Sequence, residues 1–204
     1  MSRLIFLTGK PGVGKTSILL RAVETLKAKG FRIGGMISRE IRDQGVRTGF
    51  EIADIETGKK GWLAHINQRT GPRVGKYRVN LADLNRTGAV SILRAIEEAD
   101  IIVIDEIGPM ELHSQAFREA VTEAISSNKP VLGTVHYRAK NPLVIAIKKR
   151  KDAEIIEVTQ ENRDGLTGLI AQEISGSLEE RQGRNQAKNT LWPHNPNRCR
   201  SQKC

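Results

Sequence analysis

Residues Gly9-Lys10-Pro11-Gly12-Val13-Gly14-Lys15-Thr16 set glycines, a lysine and a hydroxyl residue in the spacing G-x-x-x-x-G-K-[ST]. Each type has a job on a polyphosphate. The glycines admit backbone dihedrals that other residues resist, so that successive N–H groups converge on phosphate oxygens. A helix beginning at this point adds its positive N-terminal end. Lys15 brings an ammonium to the β- and γ-phosphates, and the Thr16 hydroxyl suits magnesium. The four fixed positions arise by chance on the order of once in a hundred chains of this length. Here they also follow an apolar strand, Leu4-Ile5-Phe6-Leu7, and open an amphipathic helix over 17–29, where Ile18, Leu19, Ala22, Val23 and Leu26 share a face.

Ile101-Ile102-Val103-Ile104 is the strongest buried-strand signal in the chain, and it ends in Asp105-Glu106 before Ile107-Gly108. In an open α/β sheet the carboxyl ends of the strands face the ligand crevice. Asp105 is then placed, with Thr16, to hold the magnesium shell. Glu106 accepts a proton from the attacking water or orients it, and Lys15 completes the catalytic set. The bland alternative makes both acids ordinary strand-end carboxylates. Gly9 to Thr16 and Ile102 to Gly108 together border the nucleotide, and the chemistry is hydrolysis of a terminal phosphoanhydride. A second cation would help the transition state. Arg39, Arg42, Arg47, Arg73, Lys76, Arg138 and Arg163 are candidates, and the sequence does not choose among them. Thr134 and His136 end the next strand and are placed to sense the γ-phosphate or the water. His65, His113 and His194 have no partner that can be named from the sequence.

The elements that must position these residues alternate. A second strand is expected over 32–40, then an antiparallel excursion, 48–55 and 61–64, marked by turns at Asp43-Gln44-Gly45 and Glu56-Thr57-Gly58-Lys59. Residues 66–80 read mostly as loop, 81–99 as a helix weakened by Gly88, and 112–127 as another helix. Strands at 131–137 and 154–158 flank a short helix at 142–150. Thr159 caps a last helix running to about Ile174. Strands alternating with helices predict an α/β three-layer fold with a mostly parallel central sheet and an antiparallel hairpin excursion.

Composition bounds the rest. Of 204 residues, 38% are hydrophobic and 27% charged, which suits a folded globular chain. No apolar run approaches a bilayer span, and the start lacks a secretory-signal pattern, so no membrane partner and a cytoplasmic location are expected. The domain is expected to occupy 1–174. Residues 175–204 hold six basic and two acidic side chains, many Asn and Gln, and few apolar ones. They read as a disordered tail, with a nucleic-acid or partner-binding arm as the sharper alternative and Trp192 as its one large anchor. Cys199 and Cys204 sit too near the end to staple a core. With His194 they make only a poor three-ligand zinc set.

The order and wording of these motifs carry a resemblance. Asp105-Glu106-Ile107-Gly108-Pro109-Met110-Glu111-Leu112 after its strand resembles the signature of the small P-loop nucleoside-triphosphatase family first described in thermophiles, relatives of the animal cancer-related nucleoside-triphosphatase. Gly9 to Thr16, Arg47-Thr48-Gly49-Phe50, Val74-Gly75-Lys76-Tyr77 and Thr159-Gln160-Glu161-Asn162-Arg163 are similar to it too, in the same order over 1–174. The resemblance implies a RecA-like fold with an added catalytic glutamate, and slow Mg2+-dependent hydrolysis of ATP, GTP and other triphosphates with little base preference. Leu84-Asn85 departs from the Phe-Glu usual in relatives, and typical members lack the tail after Ile174. A monomer is expected. Two rival readings stay open: a kinase passing the γ-phosphate to a small acceptor, and a nucleotide-switched protein acting on nucleic acid or a partner.

Overall fold

The computed structural model describes residues 3–190, with side chains described to residue 180. The strands are β1 (Leu4–Thr8), β2 (Ile33–Asp43), β3 (Val46–Asp54), β4 (Lys60–His65), β5 (Arg73–Val74), β6 (Tyr77–Val79), β7 (Ile101–Ile107), β8 (Val131–Val135) and β9 (Ala153–Glu157). The α-helices are α1 (Lys15–Ala28), α2 (Leu81–Asp83), α3 (Val90–Glu98), α4 (Gln115–Ser126), α5 (Pro142–Lys149) and α6 (Arg163–Thr190).

The nine strands among the described residues form one sheet in the order β5-β6-β4-β3-β2-β7-β8-β1-β9. The stretch from β2 to β9 is parallel, and β2 to β5 pair antiparallel. One strand, β8, separates β1 from β7, so the loop after β1 and the acids of β7 flank its end. That is the RecA-like arrangement. The parallel strands are apolar on both faces because helices cover both. Leu4 and Phe6 of β1 enter the core shared with Ile102, Ile104, Ile92 and Phe117. Ile5 and Leu7 enter the opposite core, with Ile101, Val103, Leu19 of α1 and Ile170 of α6.

β2 serves two partnerships. Ile33–Met36 pair with β7, while Met36–Asp43 pair with β3, turning through Gln44 and Gly45 at positive φ. Such a turn matches the twist of a two-residue hairpin. Arg47 knits the excursion together, donating to the Tyr77 hydroxyl at 3.0 Å and to Glu40 at 2.6 Å, with its guanidinium 5.1 Å from the Phe50 ring centre.

Four expectations change. The stretch 66–80 carries a small hairpin, β5–β6, because buried Tyr77 and Val79 have a place under the excursion. The helix over 81–99 passes through a π segment, Leu84–Ala89, which holds Gly88. The helix expected from 112 begins later: a 3-10 turn, Glu111–His113, comes first, and Ser114 caps α4 by accepting from the Phe117 N–H at 2.9 Å. The last helix does not stop near Ile174. Ser175 is buried and accepts from Lys29 Nζ at 2.8 Å, and Leu178 extends the apolar stripe of Ile170, Ala171 and Ile174 against α1. Helix therefore continues to Thr190 through the first part of the segment expected to be disordered. The remainder, with Trp192, His194, Cys199 and Cys204, lies outside the described residues. No described helix is long and apolar enough to cross a membrane.

Two glycines make opposite stability predictions. Gly35 has φ +111, and a Cβ there would stand 2.0 Å from the Val103 carbonyl oxygen of the adjoining strand. Gly35→Ala is expected to cost about 3 kcal/mol or more. Gly168 lies in α6 with open space around it, so Gly168→Ala should gain about 0.5–1 kcal/mol. Urea unfolding reads both, and an unchanged midpoint for Gly35→Ala contradicts the strand pairing described.

Candidate active site

The loop from Gly9 to Lys15 is shaped by three glycines at φ +140, +77 and +110: Gly9, Gly12 and Gly14. At Gly9 a side chain would strike the Val158 carbonyl, 2.7 Å away, so the turn after β9 packs directly on the loop. Gly14 is the N-cap of α1. It has no side chain to satisfy the first-turn amides, and no acidic residue lies in that turn. The positive end of α1 is thus left to an outside anion. Lys15 Nζ folds back to the Gly9 and Lys10 carbonyls at 3.2 and 3.5 Å. Lys10, Pro11 and Gly12 are exposed, and Val13 to Thr16 half-buried.

β7 delivers Asp105 to the same place. Ile101 and Val103 point into the α1–α6 core, and Asp105 follows on that face. Thr16 Oγ1 donates to Asp105 Oδ1 at 3.3 Å, and Thr134 Oγ1 donates to the same oxygen at 2.7 Å. Asp105 is fully buried, and its Oδ2 has no hydrogen-bond partner. Burial pushes its carboxyl up to about 6, against the two hydroxyl donations. An orphaned, buried carboxylate oxygen beside a threonine hydroxyl, at the mouth of a phosphate loop, is a donor set that fits a hard divalent cation. Ile102, Val103, Ile104 and Ile107 are wholly buried in the cores and hold the strand in place.

Glu106 is half-buried at the end of β7. The Asp105–Glu106 peptide is cis, and the pairing of β7 with β8 shifts between Ile104 and Ile107. Burial raises the Glu106 pKa and Lys15 opposes the rise. Gly108 leaves room for the Glu106 carboxylate: a Cβ on it would stand 3.1 Å from Oε1. His136 lies beside the same lysine. Burial, then Lys15 and Lys148, lower its pKa. Its Nδ1 accepts from the Arg138 N–H at 3.3 Å, which assigns the proton to Nε2. His136 is therefore a neutral donor close to the phosphate end of the loop.

The candidate cations separate. Arg42 and Arg47 are tied to Glu40, Lys76 lies over Tyr77, Arg138 over Tyr137, and Arg163 pairs with Asp164 at 3.6 Å. Arg73 is exposed at β5. Arg39 is exposed and follows Ile33 and Ile37 on the α1 face of β2, the face that carries Asp105. His65 and His113 stand away from Lys15: His65 packs its ring edge-on against Trp62, and His113 is exposed in the 3-10 turn. Sequence reasoning passed over Glu111, which is 5% exposed and comes up against Gly108, and Lys148, which donates to the Tyr137 carbonyl at 3.1 Å. Glu111 carried a signal: an acid directly before the apolar Leu112.

Comparison with known proteins agrees with this geometry. The profile of the family described as NTPase matches residues 4–171. "Nucleoside-triphosphatase THEP1" of Methanosarcina acetivorans is 49% identical over 81% of this chain and 93% of its own. That of Thermofilum pendens is 45% identical over 83% and 93%. The crystal structure of THEP1 from Aquifex aeolicus superposes with a TM-score of 0.76 at 36% identity, covering 84% of this chain and 98% of that one. The solution structure of a human cancer-related nucleoside triphosphatase gives 0.72 at 35%, covering 86% and 99%. On sequence and on fold alike, the chain belongs to the NTPase family that includes the THEP1 nucleoside-triphosphatases.

Proposed function

We propose that this protein hydrolyses nucleoside triphosphates to diphosphate and phosphate with magnesium, with little selectivity for the base. One observation carries the reading: the Thr16 hydroxyl at the loop and the buried Asp105 meet at 3.3 Å, with a bare carboxylate oxygen beside them. The amides of residues 12–16 bind the phosphates, and Lys15 leaves the Gly9 and Lys10 carbonyls to reach the β- and γ-oxygens. Thr16 and Asp105 would hold the metal, which would supply positive charge to the phosphoryl oxygens. Glu106 orients the attacking water and takes its proton, and the neutral His136 donates toward the γ-phosphate. The turn after β9 packs on Gly9. The Asn162 amide is spent within it, accepting from the Thr159 N–H at 2.9 Å and donating to the Glu157 carbonyl at 2.8 Å. Residues 1–174 supply all of these groups.

Two outcomes test this. With magnesium and no acceptor present, ATP, GTP, CTP and UTP should all release phosphate. Lys15→Ala should abolish tight triphosphate binding. Glu106→Gln should lower kcat by about 10²–10⁴-fold with KM little changed. A requirement for an acceptor would make the protein a kinase, and near-normal turnover by Glu106→Gln overturns its role. The second outcome concerns pH. Asp105 must lose its proton to hold the cation, and its pKa of about 6 sets the window. Below pH 6 the proton competes with the metal. The magnesium concentration for half-maximal turnover should therefore rise about tenfold per pH unit there, and level off above pH 7. Asp105→Asn should remove that dependence. A flat wild-type profile contradicts the metal assignment.

A further inference from the structure

Glu111 is a buried acid that the reaction as described does not use. It opens the 3-10 turn between β7 and α4. The backbone groups of Glu111 itself and of Gly108 favour its ionised form, against the stronger effect of burial. A Cβ on Gly108 would stand 3.1 Å from Glu111 Oε2 and 3.1 Å from Glu106 Oε1, so both carboxylates come up against this glycine. A side chain there would crowd both. α4 anchors the turn: Arg118 donates to the Leu112 carbonyl at 2.5 Å, and the Ser114 hydroxyl, which caps the helix, donates to Asn85 at 2.6 Å. Glu111 is thus fixed by backbone and helix, while no hydrogen bond to the Glu106 side chain is seen among the described residues.

We propose that Glu111 is a positioning residue of the hydrolytic reaction: by closing the space behind Gly108 it fixes where the Glu106 carboxylate stands, toward Lys15 and the phosphate loop. The inference rests on the role given to Glu106 above. The charged groups acting on Glu111 are Glu106 and, more weakly, Asp105, both on β7; the π segment brings only the neutral Asn85, and His113 of the same turn is exposed. Burial and the Glu106 charge hold Glu111 up to about 8, so it is uncharged at neutral pH and lets Glu106 keep its place. Above pH 8 it ionises, and two like charges then share one glycine's width.

The experiment compares wild type, Glu111→Gln and Glu111→Ala by kcat and KM from pH 6 to 10, with magnesium and ATP. Glu111→Gln keeps the shape and the uncharged state. It should turn over within about threefold of wild type at pH 7 and lack the fall in kcat that wild type shows above pH 8. Glu111→Ala opens the space behind Glu106 and should lower kcat by about tenfold or more, leaving KM within about twofold. Identical alkaline limbs for wild type and Glu111→Gln, or wild-type kcat in Glu111→Ala, overturn the proposal. Should Glu111→Ala fail to fold, the Glu111→Gln pH profile decides alone. Normal hydrolysis by Glu106→Gln would instead defeat the reading of Glu106 itself. An inactive Glu106→Gln beside Glu111 variants that behave as wild type would defeat only this inference.

Discussion

The site depends on one carboxylate with unequal oxygens. Asp105 is sealed at the end of β7, and two threonine hydroxyls from different elements, Thr16 of α1 and Thr134 of β8, donate to the same oxygen. The other oxygen is bare in a dry place. A buried acceptor left in that state costs on the order of 1–3 kcal/mol. Retained, it holds a point of negative charge against the phosphate loop, where a cation would satisfy it.

Three acids gather near this point against one lysine, and burial sorts them. Asp105, with its two hydroxyl donors, stays close to ionisation at about 6, whereas Glu111, held by backbone amides and facing Glu106, goes to about 8. Glu106 is raised by burial and pulled back by Lys15. At neutral pH Asp105 keeps a charge for a metal while Glu111 holds its proton. The folded protein bears the consequence. A carboxyl whose pKa is raised on folding contributes stability below its unfolded pKa, near 4, and loses that contribution as pH rises through the folded value. For Glu111 the loss runs up to about pH 8, so the apo site opposes stability most strongly on the alkaline side.

Much of this was legible in the residues. The phosphate loop announces itself because few backbones other than a glycine-rich turn fit a phosphate, and β1 and β7 announce themselves because strands buried on both faces must be apolar throughout. Asp105 and Glu106 follow from their place at the end of such a strand. What the sequence hid was set by contacts between distant segments. Nothing local says that Thr134 shares an oxygen with Thr16, since that depends on β8 lying between β1 and β7. Residues 66–80 looked like loop because their two short strands are held by Arg47 and Phe50 of β3 rather than by their own pattern. The last helix outran its expected end because Ser175 and Leu178 find partners on α1 and its neighbours, overriding the weak propensity of Gly176. Glu111 escaped because an acid four residues past a strand looks solvated until the turn folds it inward.

The most direct test of the central claim is a crystal structure of the protein with magnesium and a non-hydrolysable triphosphate. Phosphates are expected against the amides of residues 12–16, with a metal held by Thr16 and Asp105. A triphosphate bound elsewhere on the sheet, or a metal that leaves Asp105 Oδ2 bare, would contradict it.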